Sequence, residues 1–203
     1  MPGIEHVGDD FEVELPDTGA MELQGDAAVW DDIRVPVSRL KVIGDVNSPD
    51  FAQYKDDGAG SDGVWLYFFD DTSMERVHFS VQIPHTYKEG TDIVPHIHWS
   101  PINVNVGTVR WGLEFHWANE AGTFGTTTII YAEQAVNNEQ DKHFRTDFAA
   151  ISGSGKTISS CMNCRVFRDA AHANDTYVGD VVVHEFDFHY QKDTMGSRQI
   201  VTK

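Results

Sequence analysis

Only two cysteines occur in the 203 residues, Cys161 and Cys164, too few for a disulfide framework. They have C-x-x-C spacing, but a strand turns positions three apart to opposite faces, and no second C-x-x-C exists to complete a zinc site. Positive charge is scarce: 15 Lys and Arg stand against 32 Asp and Glu, a formal net charge of −17. That sign is wrong for a nucleic-acid or anionic-membrane surface, so neither is expected as a partner. No apolar run reaches the roughly 18 residues of a transmembrane helix. The start, Met1 to Asp10, lacks the basic and apolar regions of a secretory signal, so synthesis in a cytoplasm is expected.

Familiar catalytic frames are missing as well. Gly153-Ser-Gly-Lys-Thr157 looks at first like a phosphate loop. That frame needs glycine where Ala150 stands, and it needs a following helix, whereas Ile158 onward reads as a strand. No G-x-S-x-G nucleophile is present. Nor does any long segment carry a clean 3.6-residue period, although a short helix or a loop is open over Ala132–Gln140.

What the chain does have is alternation. Val77, Phe79, Val81 and Ile83 alternate with His78, Ser80 and Gln82; Val64 to Phe69 is a continuous apolar run. Similar strands are expected over 94–100, 109–117, 126–131, 158–167 and 181–190, with Gly, Asn and Asp turns between them. With 40% hydrophobic and 11% aromatic residues, the chain can fill a core. The expected fold is all-β, a jelly-roll-like antiparallel β-sandwich over residues 29–203. A polar stretch from Gly44 to Gly63 reads as a long contact loop, with Tyr54 as its aromatic contact. Residues 1–28 carry eight acidic residues and no Lys or Arg. They read either as a solvated tail or as an extended arm that orders on a neighbouring subunit, with Phe11, Val13 and Leu15 alternating as an added strand.

Histidine concentrates on the strands. His96 and His98 share one face of theirs while Ile97 and Trp99 take the other. Two such imidazoles reach one Zn²⁺, Fe²⁺ or Mn²⁺ if a neighbouring strand adds a third ligand, and Glu114, His116, Glu185, Asp187 and His189 are available by face. A cupin-type metal enzyme would use His96, His98 and His116 or His189. The cupin frame, however, continues His-x-His with an acid, and here Trp99-Ser-Pro-Ile-Asn103 follows. The other reading is a hydrogen-bonded polar face or subunit interface with no bound metal or cofactor and no catalytic residue. Acid/base pairs drawn from Glu114, Glu185 and Asp187 are what any acidic sheet face offers.

Three blocks in order carry a resemblance. They are Trp30-Asp-Asp-Ile-Arg-Val-Pro36; Pro84-His-Thr-Tyr-Lys-Glu-Gly-Thr91 leading to Pro95-His-Ile-His-Trp99; and Asp175-Thr-Tyr-Val-Gly-Asp180 leading to Glu185-Phe-Asp-Phe-His-Tyr190. Over residues 30 to 192 the chain resembles a mostly uncharacterised family of small β-rich virion proteins of tailed bacteriophages and prophages. The resemblance implies a particle component and no defined chemistry. The expectation is a non-enzymatic capsid decoration (cement) protein on the outer capsid surface, with the major capsid protein and its own copies, as a homotrimer, for partners. Its attachment residues are expected to be Phe11, Val13, Leu15 and Trp30. The alternatives are a tail fibre or receptor-binding domain touching host glycan, and the cupin-type enzyme.

Overall fold

The computed structural model describes residues 5–6, 11–14, 21–25, 27–200 and 202–203, and nearly all its regular structure is strand. The N-terminal strands are β1 (Glu5–His6), β2 (Phe11–Glu14) and β3 (Glu22–Gly25), followed by β4 (Val29–Pro36) and a 3-10 turn at Val37–Arg39. Next come β5 (Asp50–Lys55), β6 (Val64–Phe69), β7 (Glu75–Gln82), β8 (Val94–Pro101) and β9 (Val106–Ala118). The series ends with β10 (Thr128–Asn137), β11 (Phe144–Asp147), β12 (Cys161–Arg168) and β13 (Val181–Lys192).

Strands β6 to β13 form two antiparallel sheets, ordered β6-β13-β8-β11 and β7-β12-β9-β10. That order is jelly-roll wiring, in which the chain passes repeatedly from one sheet to the other. The larger sheet gains β5 beside β6. It also gains β4, which pairs Glu185–Lys192 of β13 beyond the Val181–Val183 stretch held by β6.

Alternation along the strands builds the core. Phe79 and Val81 of β7, Trp111 and Leu113 of β9 and Val166 of β12 face Ile97 and Trp99 of β8 and Phe186 and Phe188 of β13. The Trp99 and Trp111 rings meet edge-on at 5.9 Å, and Phe79 meets Phe186 at 5.2 Å. Each large apolar side chain so buried contributes roughly 1.5–3 kcal/mol. At one end of the sandwich Arg168 is fully buried, and all five of its N–H groups are used. Asp175 accepts two of them at 3.1 and 2.9 Å, and the carbonyls of Phe69, Gly179 and Tyr177 accept the rest at 3.2, 2.7 and 2.7 Å. Since Arg168 lies on β12 and Phe69 on β6, this clamp ties the two sheets together.

Three expectations change. Residues 132–137 continue strand β10, because Ala132 and Val136 turn inward at strand period and the ladder to β9 runs unbroken to Asn137. Strand β12 starts at Cys161 and not at Ile158. Ser159 takes a left-handed φ of 60°, and the Ile158 N–H is drawn off to Glu89 at 2.9 Å, so residues 158–159 form a turn. The 44–63 stretch is no continuous loop: it contains β5, paired with β6, so Tyr54 stands on a strand. In the arm, β2 pairs with β1 on one side and β3 on the other. The β3 edge is paired along the whole of β2, whereas β1 pairs only with Glu12 and Val13 on the other edge. Leu15 lies outside the described residues. The Leu23 N–H donates to the Asp193 carbonyl at 2.6 Å, joining β3 to the segment after β13.

Candidate functional site

The outward face of the larger sheet collects five of the ten histidines, and the strand register explains how. With Ile97 and Trp99 in the core, His96, His98 and Ser100 point out from β8. With Phe186 and Phe188 in the core, Glu185, Asp187 and His189 point out from β13. Pairing then sets Asp147 opposite His96, His96 opposite Asp187, and Asp187 opposite Arg34, giving one polar row across β11, β8, β13 and β4. The next row runs Arg145, His98, Glu185.

Strict alternation from Phe186 puts His184 in the core. A bulge between Val183 and Glu185 inserts it as an extra residue and turns it outward, where its Nε2 lies 2.8 Å from the Ser100 hydroxyl. His143, in the loop before β11, completes the set: its Nε2 is 2.8 Å from His98 Nδ1 and the two rings stack at 4.9 Å. The His96 and His189 rings lie 4.2 Å apart.

Asp187 is the centre of this face, with its side chain only 6% exposed. Its Oδ2 lies 3.4 Å from His96 Nε2 and 3.3 Å from His98 Nε2. Among the described residues, Asp187 Oδ1 and His96 Nδ1 are buried with no hydrogen-bond partner. Buried polar atoms of native proteins are almost always satisfied, so two orphans in one contact are unusual. Beside them His189 Nε2 pairs with Asp32 at 2.9 Å, and Arg34 grips Glu185 through two bonds of 2.8 and 2.6 Å. Burial holds the His98 imidazolium below its ordinary pKa, the neighbouring His96 adds to this, and Asp187 opposes it. His184 is pushed down to about 4, first by burial and then by His143 and His98. An open depression of about 490 Å³ borders the cluster, lined by Tyr54, His98, Ser100, Asp141, His143, His184 and Glu185.

The structure thus brings His96, His98 and His189 together, and Asp187 with them. It leaves His116 out. His116 lies on β9 in the opposite sheet, hydrogen-bonded to Asn163 at 3.0 Å and to the Gly125 carbonyl at 3.2 Å. The cupin set of His96, His98 and His116 is therefore not assembled: alternation tells which face of a strand a residue takes, but not which sheet the strand joins. Glu114 is on that far sheet too, paired with Arg165 at 2.7 Å. Trp30, on β4, is 56% exposed and shares the outward row of Asp32 and Arg34. Tyr54 donates to Asp141 at 3.0 Å and meets the His184 ring edge-on at 5.7 Å. Phe11 and Val13 lie on β2. Cys161 is exposed and Cys164 buried, as opposite faces require. The Gly153–Thr157 segment is a tight turn, in which the Lys156 amine donates to the Trp117 carbonyl at 2.8 Å. No helix among the described residues is long and apolar enough to cross a membrane.

No family model and no curated protein matches the chain. Among solved structures, a chain of infectious bursal disease virus, Gx strain, is similar at 11% identity and a TM-score of 0.39, over 89% of this chain and 38% of that one. A chain of the Gt strain is similar at 11% identity and 0.31, over 99% and 53%. TmCBM61, solved in complex with β-1,4-galactotriose, is similar at 9% identity and 0.30, over 81% and 88%. The chain therefore spans well under two thirds of the viral chains.

Proposed function

We propose that this chain is a structural protein of a tailed-phage virion, a decoration or cement protein that sits on the outer capsid surface and bridges neighbouring capsid subunits. One observation carries the reading. The resemblance to the virion family rests on three blocks scattered over some 160 residues, and their strand portions are β4, β8 and β13, three strands hydrogen-bonded side by side. What resembles the family is therefore one contiguous patch of sheet with its outward face. The remaining portions have framework roles: Asp175, Tyr177 and Gly179 hold the buried Arg168, and Glu89 caps the turn at Ile158.

In this reading the protein works by burying surface at capsomer junctions, so that binding to the assembled shell stabilises it by mass action. It is a homotrimer, its partners are the major capsid protein and its own copies, and it carries out no catalysis. Trp30 and the N-terminal strands, with Phe11, Val13 and Leu15, supply the attachment. Deleting residues 1–28, and separately Trp30→Ala in the full chain, tests this through capsid occupancy and shell melting temperature. Both are expected to fall. Unchanged values for both variants would remove this attachment surface, and a protein absent from purified particles would sink the whole reading.

A second reading, a tail fibre or receptor-binding domain that touches host glycan, is favoured by one feature. Tyr54 lines an open depression with Asp141 and Glu185, themselves paired with Lys55 and Arg34, and an aromatic ring among such polar groups is equipment suited to a sugar. Electron microscopy of whole particles separates the two by position.

A further inference from the structure

We propose that His96, His98 and Asp187 form a binding site for one divalent transition-metal ion, of which Zn²⁺ is the type. The inference is independent of where the protein sits on a particle.

The argument starts from two distances. His96 Nε2 and His98 Nε2 stand 3.4 and 3.3 Å from the same oxygen, Asp187 Oδ2. A charge-assisted N–H···O⁻ bond closes to about 2.7–2.9 Å, so these are poor hydrogen bonds. They are good tetrahedral edges. Ligand atoms about 2.0–2.1 Å from a central Zn²⁺ lie about 3.3–3.4 Å from one another in a tetrahedron. The ligand atoms of all three residues fall within 4.8 Å of one another.

A second observation is an orphaned oxygen. The Asp187 side chain is 6% exposed, yet its Oδ1 is buried with no hydrogen-bond partner among the described residues. An ion bound there lets the carboxylate bind through either oxygen, and it compensates a buried negative charge that otherwise has no close hydrogen bond.

The surroundings complete the chemistry. Metal-bound imidazole must be neutral at the ligating nitrogen and carry its proton on the other. If Nε2 of His98 binds the ion, its Nδ1–H is free to donate to His143 Nε2, which stands 2.8 Å away. His143 is thereby a positioning residue. Two imidazoles and one carboxylate favour zinc and its first-row neighbours over Ca²⁺ or Mg²⁺, which take all-oxygen shells. The fourth position is left to water. All three ligands come from β8 and β13, so the scaffold is a rigid paired ladder and not a loop.

The test uses the full chain, stripped with chelator and then titrated with Zn²⁺ by calorimetry and with Co²⁺ by visible absorption. One equivalent per chain is expected, with a tetrahedral Co²⁺ spectrum and a higher melting temperature in Zn²⁺. His98→Ala, at a part-exposed position, is expected to weaken binding at least 100-fold, and Asp187→Asn likewise, with native far-UV circular dichroism as the check on folding. His143→Ala is expected to weaken binding about 10-fold, the usual effect of losing an outer-shell partner. His116→Ala on the far sheet should change nothing. No saturable binding at one equivalent would overturn the proposal. So would an equal loss in the His98→Ala and His116→Ala variants, which would mean scattered surface histidine binding.

Discussion

The two outward faces of the sandwich solve the same problem with different chemistry. On the smaller sheet the cations are arginines. Arg165 pairs with Glu114 at 2.7 Å, Arg110 bridges Glu133 and Asp169, and the two guanidinium groups lie over the rings of Phe167 at 4.5 Å and Tyr131 at 4.0 Å. On the larger sheet the groups around the central carboxylate are imidazoles. Arginine stays protonated across the ordinary pH range, so these ion pairs keep one charge state. Histidine changes charge between about pH 5 and 8 and also binds metals, so the second face is conditional on its surroundings.

The largest expected effect breaks the comparison altogether by loosening the clamp that joins the two sheets. Asp175→Ala leaves the Arg168 guanidinium, which is 0% exposed, without its anion. Removing one partner of a buried pair costs about 3–5 kcal/mol. Denaturant unfolding should show that loss, and the melting temperature should fall by on the order of 10 °C for a chain of this size. A loss under about 1 kcal/mol would mean that the pair is hydrated in solution.

The next effect sharpens the contrast through pH. His184, pushed down to about 4 by burial and then by His143 and His98, stays neutral in the fold where the unfolded chain takes a proton. Its contribution is present in full above the ordinary histidine value near 6.5 and is lost as pH falls from there toward about 4. His184→Gln removes that dependence, flattening the stability profile by on the order of 1–2 kcal/mol across this window, a figure discounted for partial exposure. Unfolding curves at pH 4.5 and 7.5 check it. An equal slope in both proteins would place the acid sensitivity elsewhere.

Particular residues show what the sequence could reveal. The alternation around Ile97, Trp99, Phe186 and Phe188 is clean, so strands β8 and β13 and the outward aim of His96, His98, Asp187 and His189 could be read directly. His184 could not, because a bulge inverts its parity and nothing local announces the bulge. His143 lies in a loop, where no period applies. His116 has the right face on the wrong sheet, since sheet membership is settled by the path of the chain over long separations. The Arg168 clamp was equally hidden, because three of its five acceptor bonds go to backbone carbonyls. A carbonyl carries no residue identity.

The smallest effect tests the arginine pair of the smaller sheet by itself. Arg165 and Glu114 are about a quarter exposed, so their coupling in a double-mutant cycle with alanine should be only about 0.2–1 kcal/mol. The Glu114 carboxyl is held below its ordinary value, first by the Thr127 hydroxyl and then by Arg165. A lowered carboxylate pKa contributes stability that is present above the unfolded value near 4.5 and disappears only as pH falls through the folded value. The coupling should therefore be the same at pH 5.5 and pH 8, and it should shrink in high salt. A coupling that changed between those two pH values would show that the arginine face also has a titrating member, with His78 as the first suspect because its imidazole lies among Arg76, Arg165 and Glu114. Equal values would show that this ion pair keeps one charge state across that range.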